Sequence, residues 1–152
     1  MAMTTYKPNK IRLHGETDHV ENAYVAGVAI TPGMLVEMYN VGGSNRWRPC
    51  SSATNVITLA VALNQLFENK TVDDPYAVGD LVAAWFLEPG CEFWGILPSG
   101  QNIANGDYLQ SNGDGKLKAA TSSAASAGVA RLQSLEAIGA VTADTRVRVQ
   151  VI

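Results

Sequence analysis

One structural phrase occurs twice in this chain, and a chain that repeats a short unit must fold each copy in a related way. Ile-Thr-Pro-Gly-Met-Leu-Val at 30–36 returns as Ile-Ala-Asn-Gly-Asp-Tyr-Leu at 103–109. Each copy leads into a short strand, a Gly/Asn turn and a basic-apolar-basic triplet, Arg46-Trp47-Arg48 in the first and Lys116-Leu117-Lys118 in the second. A stretch of small Ser, Thr and Ala residues follows in both, then an apolar segment, Leu59-Ala60-Val61 or Val129-Ala130-Arg131. The offset is 73 residues at the glycines and 70 after the turn, so the second hairpin is three residues shorter. A partial third echo, Tyr76-Ala77-Val78-Gly79-Asp80-Leu81-Val82, lies between them. Duplicated short β units predict an all-β body, and such bodies more often bind or assemble than catalyse.

The residues between these signals fit that expectation. Only 16% of the 152 residues are charged, 47% are apolar and 14 are glycine, which suits many short strands joined by tight turns in one domain. Net charge is -3, which gives no general footprint for nucleic acid. Cys50 and Cys91 lack metal-ligand or CxxC spacing, and no secretory signal is read, so folding in a reducing cytoplasm is expected. The apolar runs are too short to cross a membrane as helices.

Residues 1–22 sustain neither strand nor helix periodicity and read as an extended N-terminal arm ahead of a body at 23–152. Its apolar Tyr6, Ile11 and Leu13, interleaved with Lys7, Lys10 and Arg12, suggest docking on a partner surface, with plain disorder as the alternative. In the body, Pro32-Gly33, Gly42-Gly43, Pro89-Gly90 and Asn112-Gly113-Asp114-Gly115 mark turns. The nearly unbroken apolar run Leu81–Leu87 predicts a strand buried on both faces or lying at a subunit interface. Trp85, Phe86, Leu87, Phe93 and Trp94 are the candidate oligomer-interface residues, core packing being the other reading. Residues 129–138 read as strand, with a short helix as the alternative, and Arg146–Val151 alternates as a final strand with its valines on one face.

Catalytic chemistry finds little support. His14 and His19 are the sole histidines and sit in the arm, without a third metal ligand placed by a rigid element, so no metal and no cofactor are expected. The same fact deprives Thr121-Ser122-Ser123 of a triad partner. Asp80 and Asp107 hold matching places after glycine, where Met34 stands in the first copy, and this argues for turn chemistry rather than an acid-base pair.

Together, the apolar-x-x-Gly-Asp strand starts, the glycine hairpins, the small-residue linkers and the terminal Arg-Val-Arg-Val strand resemble the head decoration (cement) proteins of tailed bacteriophages. The resemblance covers roughly residues 20–152. It implies a compact β-barrel or β-tulip body behind an N-terminal arm, made in the host cytoplasm and mounted as a homotrimer on the outer capsid surface. It also implies a non-enzymatic role, bridging subunits of the major capsid protein through an arm containing Tyr6, Lys7, Lys10, Ile11, Arg12 and Leu13. A small-ligand or carbohydrate-binding β-barrel of a phage tail or fibre, with a pocket rimmed by tryptophans, is the other reading.

Overall fold

In a computed structural model of the protein, the described residues are 11–14, 20–21, 23–53, 59–65, 68–121 and 131–152. They form eleven strands: β1 (Arg12–His14), β2 (Val20–Glu21), β3 (Val36–Val41), β4 (Ser44–Pro49), β5 (Ala60–Ala62), β6 (Ala84–Phe86), β7 (Glu92–Leu97), β8 (Tyr108–Ser111), β9 (Leu117–Ala119), β10 (Leu132–Ser134) and β11 (Thr145–Val151). All named pairings are antiparallel. A six-stranded sheet runs β1-β7-β11-β10-β8-β9, a three-stranded sheet β2-β6-β5, and β3 and β4 form a hairpin. The expected all-β body is therefore present, with open sheets; none closes into a barrel among the described residues.

The duplicated phrase becomes a repeated turn. Gly33, Gly79 and Gly106 have φ of +94°, +92° and +92°, as the third residue of a type II turn requires. In each turn the residue after glycine donates its N–H to the carbonyl three back: Met34 to Thr31, Asp80 to Ala77 and Asp107 to Ala104. The side chain of that same residue accepts the return bond. Asp80 Oδ2 takes the Ala77 N–H at 2.9 Å, Asp107 Oδ2 takes the Ala104 N–H at 2.8 Å, and Met34 Sδ takes the Thr31 N–H at 3.4 Å. The carboxylates thus serve turn closure, as their spacing suggested. The flanking isoleucines also match, because Ile30 exchanges both backbone bonds with Tyr76 and Ile103 exchanges both with Ile138.

The two hairpins meet at their bases. Leu35 donates its N–H to the Gly115 carbonyl, and Gly115 donates to the Cys50 carbonyl. One apolar cluster lies around Trp85, Phe93, Leu97, Leu109, Leu117, Val147 and Val149, and a second around Ile30, Val36, Trp47, Tyr76 and Val82. In β11 the three valines are buried as alternation requires, but Arg146 on the other face is also buried. Its Nη1 donates to the Pro32 carbonyl at 2.7 Å and Nη2 to the Val72 carbonyl at 2.6 Å, with Asp73 Oδ1 at 3.6 Å. The first turn and the 71–74 loop cover that face of the strand. Gly33 makes room for this, since a Cβ there would lie 2.3 Å from Arg146 Nη1 and 2.6 Å from the Trp94 carbonyl oxygen.

Two expectations need correction, and a third is met in its described part. The division at residue 22 does not mark where the body begins, because β1 pairs with β7 and β2 with β6. These strands are three and two residues long, too short to reveal a period in sequence. The run Leu81–Leu87 contains only a three-residue strand, Ala84–Phe86, and Leu81 is exposed. Finally, residues 132–134 are strand, as preferred; 122–130 lie outside the described residues.

Candidate interaction surface

The expected arm residues divide at position 11. Ile11 is fully buried; its N–H donates to Asn64 Oδ1 at 3.2 Å and its carbonyl accepts the Trp94 N–H at 2.9 Å. Leu13 packs against the main cluster, and the Arg12 guanidinium lies 4.8 Å over the Trp85 ring. A strand added to the β7 edge pairs main-chain groups that would otherwise be left there, and Ile11 adds apolar burial to that gain. Ile11, Arg12 and Leu13 therefore belong to the body of the subunit, which corrects their assignment to a partner-binding arm. Tyr6, Lys7 and Lys10 lie outside the described residues.

The aromatic candidates are likewise internal. Trp85 and Phe93 are fully buried, Trp94 and Leu87 are nearly so, and Phe86 is partly buried against Trp47 with ring centroids 6.0 Å apart. A side chain enclosed by its own chain has no surface left for a second subunit, so Trp85, Leu87, Phe93 and Trp94 are core residues and not an oligomer interface, while Phe86 packs on the second cluster with part of its ring open. The tryptophans cannot rim a binding pocket either, since Trp47, the third of them, is also buried. An open recess of about 430 Å³ is lined by residues 137–142 and Thr145, none of them aromatic.

What the subunit does expose is an apolar ridge. Residues 24–30 and 76–82 run side by side, held by the Val25–Leu81 and Ile30–Tyr76 bridges and by the Gly79 N–H on the Ala26 carbonyl at 2.9 Å. The Asp80 turn puts Val78 at its outer corner, and Val28, Val78 and Leu81 are 43%, 62% and 61% exposed. Sequence reasoning took Leu81 into a buried strand. Gly79-Asp80 marked the turn that puts Val78 at a corner; Leu81 lies just beyond that turn, on the bridge to Val25, and no sequence signal set its exposure.

Buried polar groups near these elements serve the fold. Burial alone would push the Glu37 carboxyl up, but bonds from Ser51 and Arg48 outweigh it and hold Glu37 below the usual range. Beside it, burial raises the Cys50 thiol, which removes the thiolate that nucleophilic chemistry needs. Both cysteines are free and buried. Burial also pushes Tyr76 up to about 12; its hydroxyl donates to the Leu63 carbonyl at 2.5 Å and accepts the Ala83 N–H at 3.3 Å. Among the described residues no three His, Cys, Asp or Glu side chains converge as metal ligands.

No protein-family model matches the sequence, and no curated protein sequence matches it. A solved structure does: the N base of head fiber gp8.5 of bacteriophage phi29, with a TM-score of 0.57 and 12% identity, over 88% of this chain and 93% of that one. At that identity the likeness establishes a shared fold, and it extends across nearly the whole of both chains.

Proposed function

We propose that this protein is a non-enzymatic structural component of a bacteriophage virion, a decoration or cement protein on the outer capsid surface. In this reading it assembles as a homotrimer and bridges subunits of the major capsid protein. The observation that carries it is the fold shared with the base of a phage head fiber along almost the full chain. Its low charge, its turn-closed body and its exposed apolar side chains support the same role. Three equivalent contacts raise the effective concentration of each for the next, so modest individual contacts can clamp a shell.

Co-sedimentation with cognate capsids lacking this protein, alongside sedimentation equilibrium of the free chain, tests the reading. Saturable binding to expanded shells and a trimer in solution or on the shell are expected. A monomer that leaves with the supernatant at saturating capsid would overturn it.

A further inference from the structure

We propose that Asn112 is a self-modification site: its side chain condenses with the backbone nitrogen of Gly113, loses ammonia and ends as aspartate or isoaspartate in the turn that packs on the first repeat. The chain has two Asn-Gly pairs, Asn105-Gly106 and Asn112-Gly113, and both permit this chemistry, because glycine has no Cβ to keep the asparagine Cγ from the nitrogen that follows it. The two glycines share nearly the same φ, +92° and +91°. Exposure favours Asn105, which is open to solvent, over the partly buried Asn112. Hydrogen bonding favours Asn112 and decides between them. The Gly106 N–H donates to the Ser134 carbonyl at 2.9 Å, the Gly106 carbonyl accepts Gln133 Nε2 at 2.9 Å, and the Ser134 N–H returns to the Asp107 carbonyl at 2.9 Å. Turning that nitrogen onto Asn105 breaks a backbone exchange beside the β8–β10 pairing. The Gly113 N–H donates instead to Ser111 Oγ at 3.1 Å, a hydroxyl that rotates away without breaking any bond between strands.

In the step, the Gly113 nitrogen gives its proton to water and bonds to Asn112 Cγ, the Cγ–Nδ2 bond breaks, and ammonia departs with a proton from solvent. Water then opens the cyclic imide, at Cγ to give aspartate or at the main-chain carbonyl to give isoaspartate. What the product does follows from the neighbours of the amide. Asn112 Nδ2 donates to Asp114 Oδ1 at 3.2 Å, and the same oxygen accepts the Lys116 N–H at 3.1 Å. Either product sets a second carboxylate against that oxygen, so a hydrogen bond becomes a repulsion between like charges. Isoaspartate also lengthens the backbone of a turn already seated on the linker after the first hairpin, where a Cβ on Gly113 would lie 3.5 Å from the Ser51 carbonyl oxygen. The modification therefore loosens the contact between the two repeats. It concerns the isolated full chain, so it stands or falls independently of the capsid reading.

Ageing the full chain in mildly alkaline buffer, followed by peptide mass mapping and isoaspartate-specific methylation, tests it. Asn112 should convert at least about tenfold faster than Asn105, a difference of about 1.4 kcal/mol, which is the size of one hydrogen bond. In urea the two rates should converge, since the fold alone separates them. A native Asn105 rate equal to or above that of Asn112, or a gap that persists in urea, would overturn the proposal. So would an Asn112 that stays intact in the native chain while converting in urea. Asn112→Asp should lower the urea midpoint, and adding Asp114→Asn, which restores a donor facing an acceptor, should recover most of the loss. An unchanged midpoint for Asn112→Asp would remove the loosening of the repeats.

Discussion

The two copies of the repeated unit share their turns and differ in what surrounds them. In the first, the β3–β4 hairpin stands as a two-stranded ribbon; its Gly42-Gly43 tip has no neighbour within 4 Å of either added Cβ. In the second, β8 and β9 belong to the six-stranded sheet, and the turn between them is packed on Pro49 and Met34 of the first copy. A repeated sequence thus specifies local turn geometry twice, while tertiary position decides which copy bears load. At the leading turns the asymmetry is reversed: the buried Arg146 side chain grips Pro32 of the first copy, whereas the side chain on Gly106 of the second is the exposed Gln133, through Nε2.

Arg146→Ala should therefore do the most damage. It strands the Pro32 and Val72 carbonyls and takes the partner from the partly exposed Asp73 carboxylate, at a cost of about 3–5 kcal/mol. Urea unfolding should show a large fall in midpoint, and a change below about 1 kcal/mol would remove the first turn's special status.

The hairpin glycines provide a sharper comparison. Gly115→Ala meets Pro49 Cβ at 2.9 Å and Met34 Cβ at 3.0 Å at a φ of +81°, so backbone strain and overlap together should cost about 2–4 kcal/mol. Gly42→Ala enters open space at φ +58° and should lose only about 1–2 kcal/mol from strain. Equal melting temperatures for the two variants would contradict the difference in packing.

Tyr76 and Ile138 are the matched bridge partners of Ile30 and Ile103, and only the tyrosine titrates. Its folded pKa is raised to about 12 from 10.0, so its neutral form is favoured in the native state. That stability is complete below pH 10 and is lost as pH rises through about 12. Tyr76→Phe should cost about 1–2 kcal/mol at neutral pH and flatten the alkaline decline, read from unfolding curves between pH 8 and about 12. An unchanged pH profile would assign the decline to other groups.

The smallest effect belongs to Asp107→Ala. It removes an exposed side-chain acceptor from the Ala104 N–H and leaves the backbone turn bond in place, so about 0.5–1 kcal/mol is expected in the same unfolding assay. A loss as large as that of Arg146→Ala would place the second turn on equal footing with the first.

Much of this frame was legible in the sequence. Gly-Gly and Asn-Gly-Asp-Gly located both hairpins because few other residues tolerate their backbone angles, and Gly-Asp located turns whose carboxylates close them. The alternating valines located β11. Illegible were the short strands β1 and β2, whose pairing is set by sheet edges far along the chain. The aromatic candidates failed for a related reason: an apolar run says that a face is covered, and only topology says whether the cover is the same chain. Arg146 was hidden because strand alternation assigns it to the solvent side, and a loop 74 residues away makes that side internal.

In the six-stranded sheet β11 sits between β7 and β10, although it follows all ten other strands along the chain. A ribosome therefore delivers the central strand after its neighbours, and β7 and β10 have to wait for it with their facing backbone groups unmatched. This sheet cannot be laid down progressively during synthesis. Its assembly falls after the release of β11, which predicts slow folding dominated by distant contacts and a nascent chain that stays exposed to misassembly until late.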